Sequence, residues 1–155
     1  MNLKKIITTL SFLLLLSCGY EPIYSKNNNN YNFSINTINL IGDNKINQTL
    51  KNELKRNLNK EKKSTEFNLN LNSRVVKAIT SKDKKGNPII MSIEIIINLK
   101  VFESEILKGE KNFEEKFEYN NRSNKFNLKQ YEKNIKDNLI SELSYKIIRY
   151  LNTLK

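Results

Sequence analysis

Few side chains in this sequence have the types and spacing that catalysis requires. The chain contains no histidine, the usual general base near neutral pH. The close acidic sets are Glu103 with Glu105 and Glu114 with Glu115, and only the first pair has the two-residue spacing that places both on one face of a strand. No phosphate-binding loop, nucleophile elbow or metal-ligand spacing accompanies them. We therefore interpret these carboxylates as surface groups and predict a protein that is not an enzyme and uses no cofactor or metal.

The single cysteine, Cys18, ends an apolar run that follows a short basic head. This run covers residues 6–16, about half the roughly 20 residues that a membrane-spanning helix needs. Leu15 lies where an ordinary secretory cleavage site has a small residue, and Leu15-Leu16-Ser17-Cys18 instead resembles the lipobox of bacterial lipoproteins. That resemblance implies lipid attachment to the Cys18 sulfur, cleavage between Ser17 and Cys18, and acylation of the new amino terminus. The alternative is a buried or free thiol behind an ordinary export signal.

The chain carries a formal charge of +11 and stays basic without residues 1–17. A basic exported domain attracts phosphate groups on lipids and lipopolysaccharide rather than nucleic acid. Lysine binds phosphate as a point charge and arginine as a bidentate fork. The candidate contacts are cations in a predicted turn and before the last predicted helix: Lys82, Lys84, Lys85, Arg122 and Lys125. For each of the two groups, a solvated surface is the alternative interpretation.

Hydrophobic periodicity predicts six elements after residue 31. An irregular alternation predicts a strand over residues 33–40, and apolar side chains every fourth position predict a helix from Ile46, capped by Asp43 or Asn44. Alternation with period two predicts a strand over residues 67–75 and a longer one over residues 89–102. A turn at residues 108–110 would precede a fourth strand at residues 113–119. Because short turns join these three strands, an antiparallel meander is the economical arrangement.

The clearest predicted helix follows residue 126. Asn127 is its predicted cap, and Phe126 is placed to pack on Tyr131. An apolar stripe continues to Leu154, so this helix should cover the apolar face of the sheet. We predict an α+β fold: a four-stranded, mostly antiparallel sheet with two helices packed on one face, in the order β-α-β-β-β-α, and a polar opposite face. The expected divisions are a lipoprotein signal peptide at 1–17, a lipidated N-terminus and flexible tether at 18–31, and a single domain at 32–155.

The start of the expected mature chain adds a resemblance to a known family. Cys18-Gly19-Tyr20-Glu21-Pro22-Ile23-Tyr24 resembles the Cys-Gly-aromatic-x-Pro-aliphatic-Tyr opening of the alphaproteobacterial LPS-assembly lipoproteins, relatives of LptE. The run Phe117-Glu118-Tyr119-Asn120, together with the long last helix containing Tyr131 and Glu142, is similar to the carboxy-terminal half of that family. Arginines that the family often carries in the middle strands are mostly lysine or asparagine here, so the resemblance assigns no lipopolysaccharide-contact residue.

The resemblance implies a non-enzymatic translocon subunit. Members of the family sit as a plug within a large LptD-like outer-membrane β-barrel, support its assembly and help deliver lipopolysaccharide to the outer leaflet. Gly19, rather than aspartate, follows Cys18, and this resembles the sorting signal of lipoproteins that are sent to the outer membrane. The implied location is therefore the periplasmic side of the outer membrane, held by a lipid anchor, without a nucleic-acid partner.

Two other classes of function remain open at this point. A free-standing periplasmic lipoprotein that binds anionic lipid or an envelope polymer would share the anchor and the charge but would need no barrel. An enzyme would require activity that depends on Glu103 or Glu105. The sequence leaves open which face contacts a barrel wall and whether lipopolysaccharide touches this subunit.

Overall fold

The computed structural model of the chain describes residues 31–57 and 63–155. The elements, in chain order, are β1 (Phe33–Gly42), α1 (Asn44–Asn57), β2 (Thr65–Lys82), β3 (Pro88–Glu103), β4 (Ile106–Asn120) and α2 (Lys125–Thr153). This order confirms the predicted α+β fold. The signal peptide, the cleavage after Ser17, the lipid attachment at Cys18 and the tether up to residue 30 lie outside the described residues. Within the described part, neither helix combines the length and hydropathy needed to cross a bilayer.

The four strands form one sheet in the order β1-β2-β3-β4. β2, β3 and β4 make the expected antiparallel meander, while β1 pairs parallel to β2 because α1 carries the chain back across the sheet. An irregularity in the pairing between Ile35 and Thr37 explains the uneven alternation of β1. The extra residue lets Ile35 and Ile38, three positions apart, both pack against the core.

The core lies between the inward face of the sheet and the two helices. Phe67 and Leu69 of β2 and the alternating residues of β3 from Ile93 to Val101 are completely buried. α1 contributes Leu50 and α2 contributes a long buried stripe: Ile135, Leu139, Ile140, Leu143, Ile147, Ile148 and Leu151. The predicted faces of β2, β3 and both helices are therefore correct.

The opposite face of the sheet is polar and rich in asparagine. Asn39 donates a side-chain hydrogen bond to Asn70 at 2.9 Å, and Asn98 donates one to Asn112 at 2.6 Å. Both bonds join neighbouring strands, so amide side chains cross-link the surface that the helices do not cover. This face matches the polar outer face predicted from the alternation.

The predicted turn at residues 108–110 is wrong. The chain reverses at Ser104 and Glu105, where Ser104 has a φ of 55°, and Gly109 lies within β4. A Cβ atom at Gly109 would lie 2.3 Å from the Tyr150 hydroxyl oxygen. The glycine therefore allows the end of α2 to approach the sheet closely. The prediction of a turn took this glycine for a turn residue.

The predicted start of the last helix is also wrong in detail. The cap of α2 is Asn124, whose side chain accepts a hydrogen bond from the Asn127 backbone N–H at 3.1 Å. Phe126 is 78% exposed, so the predicted packing of Phe126 on Tyr131 does not form a buried staple. The first helix is capped by Asp43, as expected, through bonds from two N–H groups of its first turn.

Candidate functional site

The candidate cations lie at one end of the sheet, which we call the distal tip and define as residues 82–88 and 121–125. Lys82 ends β2 and pairs with Pro88 at the start of β3. The side chain of Asn121 donates a hydrogen bond to the Pro88 carbonyl oxygen at 3.0 Å, and the Asn121 backbone N–H donates one to the Ile89 carbonyl oxygen at 2.7 Å. These bonds bring the cations before α2 to the same end of the molecule as the cations of the β2–β3 turn.

The β2–β3 turn is organised by Asp83. Its carboxylate accepts hydrogen bonds from the backbone N–H groups of Lys85 and Asn87, each at 2.8 Å, and from the Asn87 side-chain amide at 2.9 Å. The side-chain and backbone hydrogen bonds of Asn87 lower the pKa of Asp83 below its ordinary value. Gly86 closes the turn with a φ of 86°. The Asp83 carboxylate is thus engaged within the turn, while Lys84 and Lys85 are exposed.

The second group of cations is presented from the connection between β4 and α2. Arg122 and Lys125 are both exposed. The guanidinium carbon of Arg122 lies 4.3 Å from the centroid of the Tyr131 ring, a stacking distance for a cation on an aromatic face. The Tyr131 ring meets the Tyr119 ring edge-on, with centroids 6.0 Å apart. Stacking holds the plane of the guanidinium and leaves its N–H edge able to bind phosphate.

A polar cluster below the tip joins the sheet to α2. The Tyr119 hydroxyl donates a hydrogen bond to the Glu132 carboxylate at 2.6 Å, and the Lys77 ammonium donates to the same carboxylate. Burial raises the pKa of Glu132, but the hydrogen bonds from Lys77 and Tyr119 outweigh burial and lower it overall. Burial and the neighbouring carboxylate raise the pKa of Tyr119. These contacts fix the first turns of α2, and therefore Tyr131, over β4.

Sequence reasoning missed this cluster, although a signal for it exists. Lys77 continues the inward-facing series of β2 two positions after Val75. The Lys77 side chain stays 43% exposed, but its inward position directs the ammonium group toward the helices, where a carboxylate can pair with it. Glu115 of β4 is the same kind of exception and forms an ion pair with Lys146 of α2.

Exposed apolar side chains lie beside the distal tip. Ile79 of β2 is 46% exposed and pairs with Met91, whereas Phe67 and Leu69 nearer the start of the same strand are completely buried. Ile89 and Phe117 are each 44% exposed. This end of the sheet therefore combines cations with apolar surface, which suits a ligand that carries both phosphate and hydrocarbon.

The acidic residues do not assemble into a further site. Glu103 forms an ion pair with Lys108 at 2.7 Å, and Glu105 is exposed in the turn that follows β3. Glu114 is exposed, whereas Glu115 pairs with α2. Among residues 31–57 and 63–155, no three side chains of the metal-binding types come together.

The fold resembles those of several solved bacterial proteins. Rare lipoprotein B from Shewanella oneidensis shares 10% identity with a TM-score of 0.58, over 76% of this chain and 95% of that chain. A minor lipoprotein from Acinetobacter baumannii shares 11% identity with a TM-score of 0.59, over 79% and 92%. A protein of Caulobacter crescentus, assigned as a lipoprotein, shares 11% identity with a TM-score of 0.56, over 75% and 88%. No protein-family model and no curated protein matches the sequence.

Proposed function

We propose that this chain is an outer-membrane lipoprotein subunit of a lipopolysaccharide translocon. In this role it plugs a large LptD-like β-barrel, assists assembly of the barrel and helps deliver lipopolysaccharide to the outer leaflet. Two lines of support are the sequence around Cys18 and the fold shared with proteins named as lipoproteins. The observation that carries the proposal is the distal tip, where cations from two separate segments meet exposed apolar side chains.

The tip offers both kinds of contact that lipopolysaccharide needs. Lys84 and Lys85 are exposed point charges for phosphate groups, and the stacked Arg122 offers a planar fork. Ile79 and Ile89 beside them provide apolar surface for acyl chains.

The elongated sheet suits a plug. β2 contains 18 residues, which at about 3.3 Å per residue extend over roughly 55 Å. The asparagine-rich outer face exposes hydrogen-bonding groups such as those of Asn70 and Asn98, with Ile41 as an exposed apolar exception. The interior of a large outer-membrane barrel is polar as well, so most of this face can lie against it through polar contacts.

Co-purification tests the partner. The tagged full chain is expressed in its own host, membranes are solubilised in mild detergent, and proteins that copurify are identified. A tagged unrelated lipoprotein from the same membrane is the control. We expect a large outer-membrane β-barrel only with this chain. If no barrel copurifies, the translocon assignment is wrong, and a free-standing lipoprotein that binds anionic lipid becomes the better description.

Charge-matched variants test the ligand site. Lys84→Gln with Arg122→Gln removes two cations from the tip, and Lys55→Gln with Arg149→Gln removes two from the helices. Arg149 is a close match for Arg122, because its guanidinium also stacks on a tyrosine, at 5.8 Å. We expect the tip pair to weaken binding to purified lipopolysaccharide about 30-fold, at about 1 kcal/mol per cation. Equal losses from both pairs would mean that net charge, not the tip, attracts the ligand.

A further inference from the structure

The end of the sheet opposite the distal tip exposes two consecutive aliphatic side chains. Ile106 is 68% exposed and Leu107 is 50% exposed, directly after the turn formed by Ser104 and Glu105. Small polar residues dominate such turns, and single exposed apolar residues are ordinary, but an adjacent pair at a protruding end is not. Phe102, which pairs with Leu107, is half-buried and extends the apolar surface.

This end is also where the chain enters the domain. The first described residue, Tyr31, packs its ring against Phe33 at the start of β1, with centroids 5.6 Å apart. Phe33 packs in turn on Phe67 of β2, also at 5.6 Å. Phe67 pairs with Glu103 of β3, and Glu103 pairs with Ile106. The exposed aliphatic pair on β4 therefore lies at the same end of the sheet as the start of β1, where the amino-terminal segment joins the fold, with β2 and β3 between them.

Chain length keeps this end close to an anchor at Cys18. At about 3.6 Å per residue, the 13-residue step from Cys18 to Tyr31 spans at most about 47 Å. The distal tip lies a further 55 Å or so along β2. Tethering also raises the effective concentration of the entry end at the bilayer, so a weak apolar contact suffices for binding there.

We propose that Ile106 and Leu107 insert into the interface of the phospholipid bilayer that holds the acyl chains of Cys18. The inference rests on the lipid attachment in the proposed function, but not on a barrel partner or on lipopolysaccharide. The contact is apolar rather than electrostatic, since Glu105 accompanies the pair and Lys108 is occupied by its ion pair with Glu103. With this end at the bilayer, the molecule stands end-on and the distal tip points away from the leaflet that carries the anchor.

A tryptophan reporter tests the insertion, because the chain contains no tryptophan of its own. Ile106→Trp is compared with Phe126→Trp, directly after the distal tip, and Ile41→Trp on the outer face, which replace side chains that are 78% and 69% exposed. Each acylated full-length protein is placed in phosphatidylcholine vesicles with or without bromine on the lipid chains. We expect Ile106→Trp alone to emit at shorter wavelength and to be quenched several-fold more than the other two.

Two outcomes would overturn the inference. Ile106→Trp could emit as it does in water and escape quenching, or Phe126→Trp could be the quenched position. Mass spectrometry of the amino terminus in the same samples establishes that Cys18 is acylated, so a missing anchor is recognised separately. The vesicles contain no barrel and no lipopolysaccharide, so failure of the translocon assignment leaves this result unaffected. Circular dichroism of the three variants checks that each is folded.

Discussion

Replacing Gly109 by alanine tests the close contact between β4 and the end of α2. The added Cβ would lie 2.3 Å from the Tyr150 hydroxyl oxygen and 3.2 and 3.3 Å from the two terminal methyl carbons of Leu154. The Tyr150 ring cannot move freely, because it packs edge-on against Phe113 at 5.9 Å and lies beneath the Lys111 ammonium group at 5.2 Å. Gly109→Ala must therefore displace the end of the helix or the tyrosine ring.

The expected cost follows from two opposing effects. Overpacking a well-ordered contact costs about 1–3 kcal/mol. Alanine in a strand is more favourable than glycine by about 0.5–1 kcal/mol, because alanine loses less conformational entropy than glycine when the chain folds. The net expectation for Gly109→Ala is a loss of about 1–2 kcal/mol in the free energy of unfolding. Tyr150→Phe removes the hydroxyl oxygen that clashes, so it should restore most of that loss when the two changes are combined.

A double-mutant cycle measures this coupling. The free energy of unfolding is obtained from urea titrations of the mature chain with Cys18→Ser, followed by circular dichroism. We expect a coupling energy of about 1 kcal/mol between Gly109→Ala and Tyr150→Phe. Gly86→Ala is the matched control, since a Cβ there meets nothing within 4 Å and its cost comes from a φ of 86° alone. If Tyr150→Phe rescues Gly86→Ala equally, or if the cycle is additive, the steric explanation is wrong.

Three further predictions use the same titrations. Gly42→Ala should cost about 3 kcal/mol, because φ is 103° and the Cβ would lie 1.9 Å from the Ser73 carbonyl oxygen; a loss below 1 kcal/mol would contradict this. Asp43→Ala should cost about 1 kcal/mol by removing the cap of α1, with Asp43→Asn much milder; equal losses would exclude capping. The folded state lowers the pKa of Glu132 below 4.5, so its stabilisation is present above that pH and is lost as pH falls through the folded value. Glu132→Gln should flatten the acid side of the stability profile, and an unchanged profile would refute this.

The long strands and helices could be predicted because their periodicity reflects one buried face. β2 and β3 alternate over most of the positions that face α1 and α2, with Ile96 as an apolar exception on the outer face, so their inward residues follow from the sequence. The failures occur where tertiary contacts override local preference. Gly109 is of a residue type common in turns, but a glycine is needed there because the Tyr150 hydroxyl lies so close to it. Tyr150 is 41 positions away in the sequence, so no local pattern predicts this contact.

The distal tip shows the same limit. Each group of cations could be identified along the chain, but their common location depends on the hydrogen bonds from Asn121 to Pro88 and Ile89. The same bonds set where β4 ends and therefore which asparagine caps α2. In a polar stretch with several asparagines, Asn124 and Asn127 are equally good caps until that end is fixed.

The order of the sheet has a consequence for how copies of the chain meet one another. β1 and β4 are the two edge strands, and edges with unpaired backbone groups invite edge-to-edge aggregation. β4 carries exposed charged side chains over most of its length: Lys108, Glu110, Lys111, Glu114, Lys116 and Glu118. β1 is interrupted by the irregularity after Ile35. A second copy would have to bury charges at one edge or match a bulge at the other, so both edges disfavour edge-to-edge pairing between copies.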